Sequence, residues 1–354
     1  MAYNEVITLE KVTNSRLSTV NMDNLPFGRV FSDHMLVARC NDGQWEPAEI
    51  VPYGKLQFAP SMATLHYGQS IFEGMKAYRT PDGQPVLFRP DANFNRLNRS
   101  AQRMCMPEIP EELFMEGLRK LIQVDEGWIP PQEKGSLYIR PVYFASEEAI
   151  GVRPSENYTL VIFTGPVGKY YSEPVSLLAS REFIRAATGG VGSAKTSGNY
   201  AASMYPDRLA KQQGYHNVLW LDARENRFIE ECGTMNIFFV LEDTVVVPML
   251  TGTILPGVTR NSCIRLLKDN GYKVEERLVS IFEIAEAYNE GRLREAFGSG
   301  TAATIAHIQR IGFNGKDMVL PPLEERKVGN WLLKTMTDIR NGVADDPYGW
   351  VVPV

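Results

Sequence analysis

One lysine, Lys195, stands in a run of small residues at positions 193–198. Glycines recur around it, and glycine lets the backbone pass close to a bulky group or adopt a positive φ; they are Gly189, Gly190, Gly192 and Gly198. A lysine in this setting can project into a cavity, where desolvation or a neighbouring cation suits it to Schiff-base chemistry. A flexible surface loop with a solvated lysine fits the same stretch equally well.

The same stretch is one residue short of a P-loop. The pattern Gly189-x4-Ala194-Lys195-Thr196 has alanine where a P-loop requires glycine directly before the lysine. Residues 183–188 are also too charged and too few for the buried strand that leads into a P-loop. The run VLWLD at 218–222 does imitate a Walker B strand, so a P-loop nucleotidase is an alternative from another class of protein.

The composition is that of an ordinary globular protein, and it argues against several function classes. The 354 residues suggest roughly two domains, and the net charge of −5 argues against a nucleic-acid-binding surface. No apolar run reaches the roughly 18 residues of a membrane span, and the N-terminus lacks a secretory pattern. Four cysteines form no CxxC pair, and four histidines have no ligand spacing. We therefore expect a cytoplasmic protein without metal, membrane or nucleic-acid partners.

Several other residues could complete a site for a phosphate-carrying aldehyde cofactor. Such a cofactor needs a carboxylate for its ring nitrogen, a donor for its phenolate oxygen, and amides or hydroxyls for its phosphate. Glu231 stands at an abrupt strand break, and Tyr200 follows soon after the lysine. Small-residue turns at 251–254 and 299–301 offer backbone N–H groups. Each residue alone is more simply a surface, cap or core residue, and only their joint order favours the cofactor.

The hydrophobic pattern predicts the elements that must position these residues. Apolar residues recur at helical spacing over 91–105, and Asp91 is predicted to cap this helix. Further helices are predicted at 111–127, 199–214, 258–270 and 323–339. A hairpin is predicted over 35–50, with strands on either side of the turn Asp42-Gly43. Strands outnumber helices and alternate irregularly with them, which indicates an α+β fold.

Two arginines in these elements have two interpretations each. Arg96 lies off the apolar stripe of the helix at 91–105, where it either faces solvent or clamps an anion. Arg140 lies in an apolar strand predicted over 136–146, on the same face as Tyr138. It is either an outward-facing residue or a cation that faces the substrate.

Six blocks of the sequence, taken in order, resemble the branched-chain amino acid aminotransferases, in class IV of the pyridoxal-phosphate aminotransferases. The blocks are FEGMKAYR (72–79), LYIRP (137–141), FIRAATGGVGSAKTSGNY (183–200), WLD with IEECGTMNIFF (220–239), LPGVTR (255–260) and FGSGTAA (297–303). The resemblance implies the two-domain, D-amino acid aminotransferase-like fold, pyridoxal-phosphate (PLP) fold type IV. It implies a smaller N-terminal α/β domain at 1–167, a linker at 168–180, and a larger C-terminal, PLP-binding domain with a mixed sheet or barrel at 181–354.

The resemblance also implies roles for individual residues. Lys195 matches the catalytic lysine that holds pyridoxal 5'-phosphate covalently, Glu231 the carboxylate at the ring nitrogen, and Tyr200 the tyrosine at the ring oxygen. Arg96, Thr253, Ile254 and Thr301 match the phosphate shell, and Arg185 matches another arginine near the cofactor. The substrate-binding matches are Tyr67, Lys76 (near the mouth of the pocket), Tyr138, Arg140, Ile150, Val152, Tyr170, Thr234 and Ala302.

The implied activity is transamination between leucine, isoleucine or valine and 2-oxoglutarate, which gives branched-chain 2-oxo acids and glutamate. A homodimer is implied because Tyr67 and the loop at 150–152 match positions that the partner subunit contributes. The redox CxxC of some members is replaced by ATIA at 303–306, so thiol regulation there is not expected. D-amino acid aminotransferases and 4-amino-4-deoxychorismate lyases share the fold and are alternatives, although FEGMKAYR and LYIRP favour the branched-chain group.

Overall fold

A computed structural model of the protein describes residues 7–168 and 173–354. Its contacts divide the chain into two compact units. The first unit comprises the described residues up to 168 together with Ala194–Gly198 and Asp338–Val354. The second unit comprises residues 173–193 and Asn199–Thr337. The domain boundaries at 167 and 181 stay a prediction. They did not anticipate that the chain returns to the first unit at Ala194–Gly198.

Strands and helices are numbered in chain order. The strands are β1 (Thr8–Leu9), β2 (His34–Asn41), β3 (Gln44–Trp45), β4 (Glu49–Pro52), β5 (Ser70–Phe72), β6 (Met75–Arg79), β7 (Pro85–Phe88), β8 (Ser136–Ala145), β9 (Asn157–Val167), β10 (Val175–Ala179), β11 (Asn217–Leu221), β12 (Ile229–Cys232), β13 (Met235–Leu241), β14 (Thr244–Pro248), β15 (Lys273–Arg277), β16 (Leu293–Gly300), β17 (Thr304–Phe313), β18 (Lys316–Val319) and β19 (Val351–Pro353). The helices are α1 (Ala63–Tyr67), α2 (Pro90–Arg103), α3 (Glu111–Val124), α4 (Ser197–Gln212), α5 (Val258–Asp269), α6 (Ile281–Asn289) and α7 (Lys327–Arg340).

The first unit is built on a mostly antiparallel sheet in the order β1-β4-β2-β9-β8-β6-β7-β19. Its long central strands β8 and β9 pair from Ser136–Val167 to Ala145–Tyr158. Side chains alternate across a strand, so Leu137 and Ile139 share one face, and both are fully buried. The apolar stripes of α2 and α3 join the same core, with Leu97 and Leu118 fully buried. This packing holds α2 against the sheet.

The second unit contains a closed strand ring. The sheet runs β12-β11-β10-β17-β16-β13-β14-β15, and a further pairing of β12 with β13 closes the first six of these strands. The strands β10, β11 and β17 are parallel, whereas β12, β13 and β16 pair antiparallel. Apolar residues such as Leu219, Ile237 and Ile308 form a fully buried core in this unit, and α6 contributes Ile284. The mixed sheets confirm the predicted α+β class.

The predicted hairpin is confirmed, although its second strand is divided. Asp42 and Gly43 have φ values of 49° and 75°, as a tight hairpin turn requires. The strand predicted over 44–50 separates into β3 and β4, because Pro47 has no N–H to donate to a ladder. The last helix begins later than predicted, since residues Leu323–Glu325 form a separate 3-10 turn before α7.

Among the described residues, none of the helices combines the length and the apolar character needed to cross a bilayer. The same residues contain no group of three or more histidines, cysteines and carboxylates placed to hold a metal ion.

Candidate active site

Helix α2 presents a buried polar face beside its apolar stripe. Asn93, Arg96 and Ser100 are spaced i, i+3 and i+7, so they lie on one side of the helix. Their exposed fractions are only 2%, 4% and 1%. Buried polar side chains must find partners, because leaving them unsatisfied costs about 1–3 kcal/mol each. Their partners are Glu73 and the backbone of Lys195.

Glu73 lies in the turn between β5 and β6 and is fully buried. Its two carboxylate oxygens accept from Nε of Arg96 at 2.7 Å and from Nη2 at 2.8 Å, which makes the ion pair bidentate. Asn93 Nδ2 donates to Oε2 at 2.8 Å, and the Gly74 amide donates to the same oxygen at 3.1 Å. Burial raises the pKa of Glu73, but the Arg96 guanidinium and, more weakly, Lys195 outweigh it and bring the pKa below its ordinary value. Glu73 is therefore an ionised carboxylate.

The Lys195 backbone is fixed on both sides by the first unit. Its amide donates to Ser100 Oγ at 3.0 Å, and its carbonyl accepts from the Phe72 amide at 3.1 Å. Ser100 Oγ in turn donates to the Arg96 carbonyl at 3.0 Å. The Lys195 side chain is half-buried, and Nζ lies 4.7 Å from the centre of the Phe72 ring. We call Glu73, Asn93, Arg96, Ser100 and Lys195 the lysine cluster.

Arg140 lies on strand β8 of the first unit. Its Nη2 donates to the Tyr138 hydroxyl at 2.8 Å, and its guanidinium carbon lies 4.7 Å from the centre of the Phe72 ring. The buried Nε has no hydrogen-bond partner among the described residues. The surface interpretation of Arg140 is thus disfavoured, because a buried donor without a partner is suited to an incoming anion.

The remaining substrate-pocket predictions in the first unit lie in different environments. Lys76 on β6 is buried, and burial together with the charge of Arg340 lowers its pKa to about 7. Tyr67 ends α1 and is 39% exposed, and Ile150 and Val152 are 73% and 91% exposed. Tyr170 lies outside the described residues.

Glu231 anchors the corresponding cluster in the second unit. It lies on β12 and is 2% exposed. Its Oε2 contacts Arg185 Nε at 3.1 Å, and Oε1 accepts from the Leu255 amide at 2.6 Å. Arg185 also donates through Nη1 to the Thr253 carbonyl at 2.6 Å and through Nη2 to the Gly192 carbonyl at 3.2 Å. One arginine thereby joins the β12 carboxylate, the loop before α5 and the glycine-rich stretch.

The loop before α5 is packed closely against its neighbours. Thr253 and Ile254 are 4% and 3% exposed. Thr253 Oγ1 lies 2.8 Å from Thr251 Oγ1 and 2.5 Å from Glu230 Oε1. A Cβ on Gly192 would lie 2.3 Å from the Thr253 carbonyl oxygen, so only glycine fits there. We call Arg185, Glu230, Glu231, Thr253 and Leu255 the glutamate cluster.

Three further predicted residues lie in turns at the ends of the ring strands. Strand β13 starts where the antiparallel β16 ends, with Asn236 opposite Ser299. The turn with Thr234 and the turn with Thr301 and Ala302 therefore lie at the same end of these strands; Thr234 is exposed and the other two are half-buried. Asn236 Nδ2 donates to the Leu255 carbonyl at 2.9 Å, which brings the loop before α5 to this end as well.

Tyr200 lies in the first turn of α4 and is half-buried. Ser299, in the turn motif at 299–301, is 2% exposed, and its Oγ has no hydrogen-bond partner among the described residues. A buried hydroxyl of this kind can serve a polar ligand.

Sequence reasoning missed several members of the two clusters. Asn93 and Ser100 carried a usable signal, because they share helical spacing with Arg96. Glu73 carried a weaker one, a carboxylate among apolar residues within FEGMKAYR. Phe72, whose ring lies close to the cationic groups of both Lys195 and Arg140, carried no signal that distinguishes it from a core residue.

Comparison with known proteins places this geometry in a family. The model of the amino-transferase class IV family matches residues 70–311. The protein named probable branched-chain-amino-acid aminotransferase of Staphylococcus epidermidis is 47% identical, over 94% of each chain. The chain therefore belongs to the class IV aminotransferases, among their branched-chain amino acid members. This membership removes the P-loop alternative.

Solved structures agree with this assignment. The branched-chain aminotransferase of Thermoproteus uzoniensis, determined with norvaline, superposes with a TM-score of 0.75 at 27% identity, covering 90% of this chain and 99% of that one. The branched-chain amino acid aminotransferase of T.th., complexed with N-(5'-phosphopyridoxyl)-L-glutamate, gives a TM-score of 0.71 at 26% identity, covering 89% and 98%. The predicted type IV aminotransferase fold is confirmed.

Proposed function

We propose that the protein transfers the amino group between branched-chain L-amino acids and 2-oxoglutarate with pyridoxal 5'-phosphate as cofactor. The observation that carries this proposal is the lysine cluster, in which Lys195 is held through both of its backbone groups. An ionised Glu73 and a buried Arg96 lie beside it. In a class IV aminotransferase this lysine is the residue that binds the cofactor aldehyde.

The residues present fit that cofactor. Glu231 is a buried carboxylate, which suits a protonated pyridine nitrogen, and Arg185 holds it in place. Arg96 suits the phosphate because a guanidinium matches an anion of that geometry. The orphaned hydroxyl of Ser299, adjacent to Thr301, can also serve a polar ligand. The further proposed contacts are Tyr200 at the ring oxygen and Thr253, Ile254 and Thr301 at the phosphate.

Bound pyridoxal phosphate supplies an electron sink for the amino acid's Cα. Lys195 provides the proton transfer: its amine accepts the proton from Cα and later delivers it. Glu231 maintains the proton on the ring nitrogen, since a buried carboxylate favours a neighbouring cation. Phe72 holds the segment that carries Lys195, and the Glu73–Arg96 pair supplies the charges that orient its amine.

The substrate proposal follows from Arg140 and the aromatic rings around it. Phe72 and Tyr138 give an apolar surface for an aliphatic side chain, and Arg140 offers a donor for the second carboxylate of 2-oxoglutarate or glutamate. The structural relatives were determined with norvaline and with a glutamate derivative, one aliphatic and one acidic ligand. We further assign Tyr67, Lys76, Ile150, Val152, Tyr170, Thr234 and Ala302 to the substrate pocket.

A homodimer is part of the proposal. Ile150 and Val152 are apolar and strongly exposed, as expected for side chains that a second copy covers. The four cysteines are all free thiols, which supports a reducing, cytoplasmic location. We propose that neither nucleic acid nor membrane is a partner, in keeping with the acidic net charge of −5. Light scattering that gives the mass of a monomer would contradict the dimer.

Borohydride reduction followed by peptide mapping tests the lysine assignment. The purified protein should absorb visible light, and reduction should leave a pyridoxyl group on Lys195. Lys195→Ala should retain non-covalent cofactor but lose turnover by about 10³-fold or more. Lys211→Ala, which removes an exposed lysine of α4, is the control and should behave as wild type. An adduct on any other lysine overturns the assignment.

A panel of amino donors tests the substrate class. Leucine, isoleucine and valine should support turnover with 2-oxoglutarate, whereas D-alanine and aminodeoxychorismate should not. Preference for D-alanine would instead identify a D-amino acid aminotransferase.

A further inference from the structure

Ser100 completes the buried polar face of α2, and its hydroxyl has two defined partners. The side chain is only 1% exposed. Its Oγ donates to the Arg96 carbonyl at 3.0 Å and accepts from the Lys195 amide at 3.0 Å. Because a carbonyl can only accept and an amide can only donate, the direction of both hydrogen bonds is fixed. The hydroxyl thus links two backbone groups that are far apart in the chain.

A serine inside a helix is not explained by the helix itself. Its hydroxyl competes for backbone carbonyls, which makes serine a poorer helix former than alanine. The next residue, Ala101, is fully buried and has no polar side-chain atom to satisfy. What serine adds at position 100 is the hydrogen bond to Lys195.

The turn of α2 that carries Ser100 is well supported. Arg96, one turn earlier, is held by both carboxylate oxygens of Glu73. On the other side of the lysine, the Lys195 carbonyl accepts from the Phe72 amide at 3.1 Å. The backbone of Lys195 is therefore held by two elements, α2 at its amide and β5 at its carbonyl.

The residues around Lys195 cannot fix the lysine by themselves. Apart from the lysine, residues 193–198 are small and end in Gly198, whose backbone has wide conformational freedom. If the peptide before Lys195 rotates, the amine at the end of the long side chain moves with it. Bond formation and proton transfer are sensitive to a displacement of about 1 Å.

We infer that Ser100 is a positioning residue whose hydroxyl aims the Lys195 amine at the cofactor aldehyde. The inference rests on the proposed function, in which Lys195 binds that aldehyde covalently. In this step the amine nitrogen bonds to the aldehyde carbon, and the aldehyde oxygen leaves as water with the two amine protons. Ser100 takes no part in the step itself, since it fixes the backbone from which the amine reaches the carbon.

Two forms of the cofactor separate this role from a structural one. Pyridoxal 5'-phosphate can bond to Lys195, whereas pyridoxamine 5'-phosphate has no aldehyde and binds without a covalent bond. The ratio of their affinities for the apoenzyme therefore measures the contribution of the lysine. Ser100→Ala should reduce this ratio by about 10-fold, as expected when the hydrogen bond that holds the lysine is lost. Its affinity for pyridoxamine phosphate should stay within about twofold of wild type.

Turnover gives a second measurement. In Ser100→Ala, kcat should fall by about 10-fold or more, while KM should change little. Because the displaced amine removes the Cα proton more slowly, deuterium at Cα of leucine should slow the variant by a larger factor than wild type.

Ser262→Ala is the matched control. Ser262 is a fully buried serine of α5, and its Oγ donates to the Val258 carbonyl four positions earlier at 3.1 Å. The substitution removes the same kind of contact from another helix and should leave the affinity ratio at its wild-type value. Lys195→Ala sets the lower limit of the ratio, because it removes the covalent bond.

An unchanged affinity ratio in Ser100→Ala, or an equal reduction in Ser262→Ala, overturns the inference and leaves the proposed function intact. If Ser100→Ala does not fold, Ser100→Cys replaces it, since its thiol is a weaker hydrogen-bond partner and should reduce the ratio in the same direction. A wild-type ratio that Lys195→Ala does not lower overturns the lysine assignment and the inference with it.

Discussion

Each unit of the protein contains a buried pair of one arginine and one glutamate, and the two pairs are built in opposite ways. In the lysine cluster, both oxygens of Glu73 contact Arg96, and Asn93 and a backbone amide support them. In the glutamate cluster, Arg185 contacts Glu231 through one nitrogen and gives its other two to backbone carbonyls.

The difference supports the role proposed for one partner of each pair. Glu73 is fully buried, and both of its oxygens accept hydrogen bonds from neighbouring groups of the protein. It therefore serves to orient Arg96. Arg185 contacts three separate segments of the chain, so it serves to hold Glu231 and the loop with Thr253. This fits the proposed function, in which the arginine of the first pair and the carboxylate of the second contact the cofactor.

The largest expected effect is the loss of stability on breaking the first pair. Glu73→Gln removes the Glu73 charge that pairs with the buried Arg96 guanidinium and should lower the free energy of unfolding by about 3–5 kcal/mol, measured by chemical denaturation. Glu49→Gln is the control, because it breaks the exposed Arg39–Glu49 pair and should change stability by about 1 kcal/mol or less. Equal effects of the two variants would remove the special role of Glu73.

The second pair should show its effect in turnover. Glu231→Gln keeps the size of the side chain but removes the charge that favours a protonated ring nitrogen, so kcat should fall by about 10²-fold or more. Its loss of unfolding free energy should be smaller than that of Glu73→Gln, since a single nitrogen of Arg185 loses its partner. If Glu231→Gln is less stable than Glu73→Gln and yet retains its turnover, the two pairs do not differ in role as described.

A smaller effect should distinguish the two arginines. Arg96→Lys loses the planar fork that suits both Glu73 and a phosphate, and its affinity for pyridoxamine phosphate should fall by about 10-fold. Arg185→Lys should affect kcat more than this affinity, because Arg185 acts on Glu231. Titration of the two variants by absorbance measures both affinities, and identical losses would show that the arginines have the same role.

The smallest effect is a difference in pH dependence among the buried glutamates. The pKa of Glu73 is lowered, so its contribution to stability is present above the ordinary value near 4.5 and is lost only as the pH falls through the lower, folded value. The pKa of Glu230 is raised to about 7, so its favourable contribution is present below about 4.5 and is lost as the pH rises through 7.

Melting temperatures check this prediction. The advantage of Glu230→Gln over wild type should grow by a few degrees from about pH 5 to about pH 8. The deficit of Glu73→Gln should stay constant over the same range. A Glu230→Gln difference that does not change with pH contradicts a raised pKa for Glu230.

The sequence predicted a large part of the fold and less of the site. Periodicity placed α2 and the long strands because a buried apolar face imposes a regular spacing. It left the direction of Arg96 open, because that depends on the turn at Glu73, which is far from α2 in the chain. The resemblance identified Lys195 and Glu231 but not Glu73, Asn93 or Ser100. The hydrogen-bond partners of these three residues come within reach only when the chain folds. The roles of the individual site residues stay predictions.

The short return of the chain at Ala194–Gly198 has a consequence for recombination. Lys195 makes its backbone hydrogen bonds to Ser100 and Phe72, although it lies about a hundred positions downstream of them. A chimera joined anywhere between 101 and 193 would take the lysine from one parent and the residues that seat it from the other. Exchange of whole modules between relatives should therefore succeed only when both parents agree at Phe72, Ser100 and the segment that carries the lysine.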